Sequence, residues 1–111
     1  MVLYSVTVSI DLAREAEWVA WMRQTHLPEV MATGCFAHYR FCRLLSEEPG
    51  AGGATYNVQY LAPSLAHYDA YRLEHAPALQ AKTAGLFAGQ FHAFRTLLEV
   101  VEQNSYTDLA D

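Results

Sequence analysis

Two arginines in matching local sequences are the residues that point most directly to chemistry. Arg40 ends the stretch Phe-Ala-His-Tyr-Arg, and Arg95 ends the stretch Phe-His-Ala-Phe-Arg. Each stretch follows a His-x-Pro, which begins at His26 in the first half of the chain and at His75 in the second. The planar fork of donors on a guanidinium suits a carboxylate or a phosphate. The repeat therefore predicts an anion-accepting pocket that contains both arginines.

The alternation of strand residues around these arginines predicts which side chains share the pocket. If Tyr39 and Phe94 occupy matching positions and face the helices, both arginines face the other side of the sheet. The predicted ligand-binding residues on that side are Arg40, Arg95, Asn57, Gln59, His38 and Glu99. A solvated face or an ordinary ion-pair network is the simpler interpretation of the same charges.

Three residues are candidates for a catalytic role, with Arg40 beside them: His26, Tyr39 and Asn57. A histidine near a helix end commonly interacts with the helix dipole, and a general base or haem ligand is the sharper interpretation of His26 and His75. Neither histidine has a metal ligand four positions further on, so the sequence predicts no metal site and no cofactor.

The elements that must position these residues form two β-α-β units. Alternation predicts the strands, and apolar residues at helical spacing predict the helices. The predicted elements are a strand over Val2–Ile10, a helix from about Ala13 that breaks near His26–Leu27 and closes at Thr33-Gly34, a strand over Cys35–Leu45, a hairpin loop over Glu47–Gly53, a strand over Ala54–Leu61, a helix capped by Ser64 and interrupted at Pro77, and a strand over Gln90–Val101. This order predicts an α+β, ferredoxin-like βαββαβ domain with a four-stranded antiparallel sheet over residues 1–102, followed by a tail over residues 103–111. Aromatic residues at helical spacing, such as Trp18 and Tyr71, are typical of its core, and the wall of a ligand pocket is the alternative.

Composition limits the partners. The chain is 52% apolar and 17% charged and has a formal net charge of −5, which argues against a nucleic-acid partner because such proteins need a basic face. No apolar segment approaches bilayer-spanning length, and Cys35 and Cys42 lie too far apart along one predicted strand to form a disulfide. We therefore expect a cytoplasmic protein with no membrane partner, whose half-apolar sheet face pairs with a second copy to form a dimeric α/β barrel.

Several segments resemble a bacterial family of uncharacterised proteins, a domain of unknown function with the motif HxPEVMATG…YRF. The matching segments are Val2–Asp11, His26–Gly34 with Tyr39-Arg40-Phe41, Thr55–Tyr60, His75–Leu79 and Phe94–Val100. The resemblance covers about residues 2–101 and implies the fold but no activity. More distantly, the architecture is similar to the dimeric α/β-barrel superfamily, which includes cofactor-independent monooxygenases, haem-degrading enzymes and ligand-sensing domains. No catalytic motif of that superfamily maps onto this chain.

The sequence leaves three functions open. The first is a small-molecule-binding or sensing protein whose pocket accepts a small anionic or aromatic ligand. The second is a small cofactor-independent oxygenase or isomerase acting on an aromatic metabolite, and the third is a structural or interaction dimer with no ligand. Neither the substrate nor the existence of an enzymatic activity follows from the residues alone.

Overall fold

The computed structural model describes residues 1–46 and 53–104, which form a four-stranded sheet covered on one side by helices. The strands are β1 (Val2–Asp11), β2 (His38–Arg43), β3 (Gly53–Ala62) and β4 (Phe91–Glu99), and the helices are α1 (Glu15–Trp21), α2 (Leu27–Ala32), α3 (Leu65–Glu74) and α4 (Ala76–Leu86). The sheet order is β2-β3-β1-β4, and all neighbouring strands are antiparallel. The predicted ferredoxin-like α+β order is therefore confirmed, although β2 is shorter than the strand predicted over Cys35–Leu45.

The two prolines act differently on the two helical segments. The first segment does not break near His26–Leu27 as predicted, because a π-helical turn over Met22–His26 joins α1 to α2. Pro28 then lies in the first turn of α2, directly after the π-helical turn, and the helical path continues through it. The second segment does break, at His75, before Pro77 enters the first turn of α4. His26 therefore sits at the end of an irregular turn, a type of feature that is frequent at functional sites.

The core lies between the helices and one face of the sheet, which we call the helix face. Ile10 of β1 and Val58 of β3 are almost completely buried on it. Trp18 of α1 is 1% exposed and packs on Tyr56 of β3, with ring centroids 5.1 Å apart. The opposite face, which we call the outer face, carries no helix among residues 1–46 and 53–104.

The register of β4 contradicts the predicted placement of Arg95. Val6 of β1 lies opposite Val58 on one side and opposite Arg95 on the other, so all three side chains share the helix face. Phe94 consequently points to the outer face, where it is 65% exposed, and Glu99 shares the helix face with its partner Val2. The prediction for Arg95, Phe94 and Glu99 was wrong, since a shift of one residue moves every side chain of a strand to the opposite face.

The connection from α4 to β4 explains this register. Phe87 is buried in the core, and Gly89 adopts a positive φ of 72° that a glycine tolerates at no cost. The backbone N–H of Asp11 then donates to the carbonyl of Gln90 at 3.0 Å. These contacts place Phe91 opposite Ile10, on the helix face, and alternation carries Arg95 to the same side. The repeat of Phe-x-x-aromatic-Arg contains no information on this connection.

Two of the predicted segments lie wholly or largely outside the described residues. The predicted hairpin loop over Glu47–Gly53 lies outside the described residues except for Gly53, and so does the tail beyond residue 104.

Cys35 is buried, Cys42 is half-buried, and both are free. Across the described ranges, none of the helices is both long enough and apolar enough to cross a bilayer.

Candidate ligand-binding cavity

A cavity lies between the helix face of the sheet and the helices. Its volume is about 50 Å³, it is partly open to solvent, and the empty space including that opening is about 530 Å³. Apolar side chains such as Val6, Val58 and Trp18 form part of the wall. The polar side chains that line it are Tyr4, His26, Tyr60, Tyr71, Gln80, Thr83 and Arg95. An apolar wall with a few convergent polar groups is typical of a small-molecule site.

A cluster of tyrosines forms one end of the polar lining. The ring of Tyr4 lies 5.8 Å from that of Tyr60 and 5.9 Å from that of Tyr71, centroid to centroid. Burial raises the pKa of the Tyr60 hydroxyl and of the Tyr71 hydroxyl well above the ordinary value. At neutral pH these phenols are therefore protonated and can donate hydrogen bonds.

Arg95 supplies the positive charge of this cluster. Burial also raises the pKa of Tyr4, while the positive charge of Arg95 and a hydrogen bond between the two side chains act in the opposite direction. The same charge acts on Tyr71. Arg95 itself is exposed, on the edge strand β4. A guanidinium has five N–H donors, and a single phenol leaves most of them available.

His26 lies in the same cavity wall and is uncharged at neutral pH. Its ring stacks on Trp21 with centroids 5.0 Å apart and an interplanar angle of 26°. Burial lowers the pKa of His26 below its ordinary value, the Glu29 carboxylate opposes this, and the Lys82 ammonium adds to it. An uncharged imidazole can accept a hydrogen bond or a proton.

The outer face carries most of the residues that the sequence placed in the pocket. Arg40 lies opposite Gln59, and His38 lies on the same side of β2. Asn57 lies opposite Thr7, and its amide donates to Ser5 Oγ at 2.9 Å and to Thr7 Oγ1 at 3.1 Å. Asn57 therefore binds the side chains of the neighbouring strand β1.

The structure thus separates the predicted site residues into two groups. His38, Arg40, Asn57 and Gln59 stay together on the outer face, whereas Arg95 and Glu99 lie on the helix face. Among the catalytic candidates, only His26 lines the cavity. Tyr39 lies on the edge strand β2, 41% exposed, with its ring 6.4 Å from that of Tyr60.

The sequence reasoning missed several cavity residues. Tyr4 and Tyr60 line the cavity, and nothing in the alternation of their strands distinguishes a cavity wall from a packed core. Gln80 and Thr83 are polar residues on the inner side of α4, and this spacing of three was the available signal. No cluster of three or more His, Cys, Asp or Glu side chains suited to a metal ion occurs within the part of the chain that the structure describes.

His75, the second histidine of the repeat, lies outside the cavity. It occupies the break between α3 and α4, and its backbone N–H donates to the carbonyl of Tyr71 at 2.9 Å. Its ring stacks on that of Tyr71 at 6.5 Å. The two halves of the repeat therefore place their histidines in different environments.

Comparison with known proteins identifies the family and supports the fold. The model of a domain of unknown function (DUF4286) matches residues 1–101, and no curated protein matches the sequence. HapK from Hahella chejuensis has a TM-score of 0.69 at 11% identity, with 95% of this chain and 97% of that chain covered.

Two further solved structures share the fold at low sequence identity. A dimeric ferredoxin-like protein from an uncultured marine organism has a TM-score of 0.66 at 12% identity, with 93% of this chain and 98% of that chain covered. A mutant of MhuD with two manganese protoporphyrin IX molecules bound per active site has a TM-score of 0.66 at 15% identity, with 95% and 99% covered. At such identities the structures share the ferredoxin-like fold, and the family match over residues 1–101 shows that this chain belongs to the DUF4286 family.

Proposed function

We propose that the protein binds a small aromatic anion, such as an aromatic carboxylate, in the cavity on the helix face. The observation that carries this proposal is the position of Arg95, which lines an otherwise largely apolar, aromatic-walled cavity together with Tyr4. A carboxylate would receive charge-assisted hydrogen bonds from the guanidinium, which are stronger than bonds between neutral groups. The ring of the ligand would pack against the aromatic wall.

Two features of the cavity support this ligand class over a cation or a sugar. The lining offers donors at its charged end, because the tyrosines are protonated and Arg95 cannot accept a hydrogen bond. No carboxylate is among the side chains that line it. In MhuD, a protein of the same fold, the active site holds planar protoporphyrin molecules, so a planar aromatic ligand is compatible with this architecture.

We further propose that a second copy of the chain covers the outer face. Phe94 and Leu98 are exposed there at 65% and 45%. They lie on the same face as Arg40 and Gln59, so the surface is mixed apolar and polar, as dimer interfaces are. A structural neighbour is described as a dimeric ferredoxin-like protein. In this assembly Arg40, His38 and Gln59 belong to the pairing surface, and the ligand lies on the other side of each sheet.

Thermal denaturation in the presence of benzoate tests the ligand proposal. Benzoate is expected to raise the melting temperature of the natural protein and to lose this effect in Arg95→Gln, because the carboxylate loses its cationic partner. Arg72→Gln is the matched control, since Arg72 is an exposed arginine on α3 that pairs with Asp69 outside the cavity. Equal stabilisation of all three proteins would contradict the site, and no stabilisation by any aromatic acid would favour a dimer without a ligand.

The position of His26 favours a second candidate, a small cofactor-independent oxygenase or isomerase acting on an aromatic metabolite. Its uncharged ring lines the same cavity as Arg95, so it could take a proton from a ligand whose developing negative charge is held by the guanidinium. Each aromatic acid that binds is then incubated aerobically and analysed for product. Turnover that is lost in His26→Asn, with binding retained, would establish the enzyme, whereas unchanged ligand would leave binding as the function.

A further inference from the structure

The polar groups beside the cavity include one ion pair that joins two of its walls. Glu29 of α2 and Lys82 of α4 approach to 2.6 Å, between a carboxylate oxygen and the ammonium nitrogen. Glu29 follows His26 by three positions, and Lys82 lies between the cavity residues Gln80 and Thr83. The pair therefore links the wall that carries His26 to the wall that α4 supplies.

Other contacts hold α4 at its two ends. Ala76 and Leu79 are its buried residues, and both lie in its N-terminal half. Just beyond its C-terminal end, Phe87 is buried, and the guanidinium of Arg14 lies over the Phe87 ring, 4.7 Å from the centroid, while also donating to the carbonyl of Leu86 at 3.3 Å. Between these anchors, the ion pair is the polar contact that the described residues show between α4 and α2.

Because the cavity is small, the Glu29–Lys82 ion pair can influence which ligands enter it. A cavity of about 150 Å³ is known to hold benzene in a protein core. This cavity, at about 50 Å³, is smaller and partly open to solvent, so an aromatic ring is surrounded by its walls on all sides only when the walls separate. A bicyclic ring requires more separation than a single ring, and the ion pair opposes that separation.

We propose that the Glu29–Lys82 ion pair sets the width of the cavity and thereby the size of the aromatic ligand that it admits. This inference rests on the proposed function, because it takes the cavity to be the ligand site. Both partners are partly exposed, at 34% for the Glu29 side chain and 56% for the Lys82 side chain, so the contribution of the pair is modest. We expect loss of the pair to change the relative affinity for large and small ligands by about two- to fivefold.

The test compares benzoate with 2-naphthoate in four proteins. Lys82→Met keeps an unbranched side chain, one atom shorter, and removes its charge. It is expected to raise the ratio of 2-naphthoate affinity to benzoate affinity by about two- to fivefold. The charge swap Glu29→Lys with Lys82→Glu restores the pair and is expected to restore the ratio. Arg72→Met removes an ion pair on α3, away from the cavity, and is the control expected to leave the ratio unchanged.

Amide hydrogen exchange of the ligand-free proteins separates failure of this inference from failure of the proposed function. Exchange in the central turns of α4 is expected to accelerate in Lys82→Met and to return to the natural rate in the charge swap. If neither acid binds the natural protein, the proposed function is wrong, and the exchange rates alone decide whether the pair restrains α4. Unchanged exchange in Lys82→Met, equal acceleration in Arg72→Met, or no rescue by the charge swap would each overturn the inference.

Discussion

The two faces of this sheet are built from neighbouring residues of the same strands, yet they differ in chemistry. The helix face gathers tyrosines, a histidine and Arg95 around a cavity, whereas the outer face carries serine, threonine and amide side chains together with the exposed Phe94. Each face carries one arginine of the repeat: Arg40 lies on the outer face and Arg95 on the helix face. The difference teaches that one residue of register decides whether a strand residue joins the proposed ligand cavity or the proposed pairing surface.

The largest loss of stability is expected from a substitution in the core on the helix face. Trp18→Ala removes a fully buried indole that packs on Tyr56 and Phe41, and it should lower the free energy of unfolding by roughly 3–5 kcal/mol. Gln59→Ala on the outer face should cost less than about 1 kcal/mol. Urea denaturation at one protein concentration measures both, and similar losses would contradict the distinction between the faces.

The second-largest effect is expected on the dimer dissociation constant, from a substitution on the outer face. Phe94→Glu would bring a carboxylate into the proposed interface in both copies, and the dimer dissociation constant should rise by about thirtyfold or more. Leu73→Glu is the matched control, because Leu73 is an equally exposed apolar residue on α3. Sedimentation equilibrium gives both constants. Dissociation caused by Leu73→Glu, with Phe94→Glu unaffected, would move the interface to the helical side.

A smaller effect distinguishes a structural Asn57 from a catalytic one. Asn57→Ala removes hydrogen bonds to Ser5 and Thr7 and should lower the free energy of unfolding by about 1 kcal/mol. Its affinity for benzoate should equal that of the natural protein, since Asn57 lies on the opposite face from the cavity. Calorimetric titration checks the affinity. Lost binding in a folded Asn57→Ala protein would show that the outer face takes part in ligand recognition.

The smallest effect is the pH dependence that His26 contributes to stability. Because burial lowers its pKa in the folded state, the unfolded chain takes up the proton more readily. The free energy of unfolding should therefore fall as the pH drops through the ordinary value of 6.5 towards the lowered pKa of folded His26. Urea denaturation between about pH 7.5 and about pH 5.5 should show a smaller loss in His26→Asn than in the natural protein. Identical slopes in the two proteins would contradict a buried, uncharged His26.

Much of the fold could be predicted because it depends on local patterns. Alternation in β1 and β3 is sufficient to place Val6, Val58 and Tyr60 on one face of the sheet, as the structure does. Ser64 caps α3 as predicted, by accepting from the backbone N–H of His67. These features follow from side-chain periodicity and capping chemistry within a few residues. The antiparallel order of the strands then follows from the two β-α-β units.

The candidate site could be predicted only in part, because it depends on register and on cavity shape. The position of Arg95 is fixed by the connection between α4 and β4, through buried Phe87 and the Asp11–Gln90 hydrogen bond, and a repeat motif does not encode that offset. His26, a candidate from the sequence, lines the cavity, but its environment depends on the π-helical turn and on Trp21. The convergence of Tyr4, Tyr71 and Arg95 joins three elements distant in sequence, which spacing alone cannot reveal.

One measurement tests the separation of the two faces most directly: an NMR titration with benzoate that observes all five histidine rings. His26 lines the cavity, whereas His38 and His92 lie on the outer face. If the ligand site is on the helix face, the chemical shifts of the His26 ring change and saturate as benzoate is added. The chemical shifts of the His38 and His92 rings stay at their values in the unbound protein, within measurement error. Shifts of His38 and His92 with an unmoved His26 would place the site on the outer face and contradict the account.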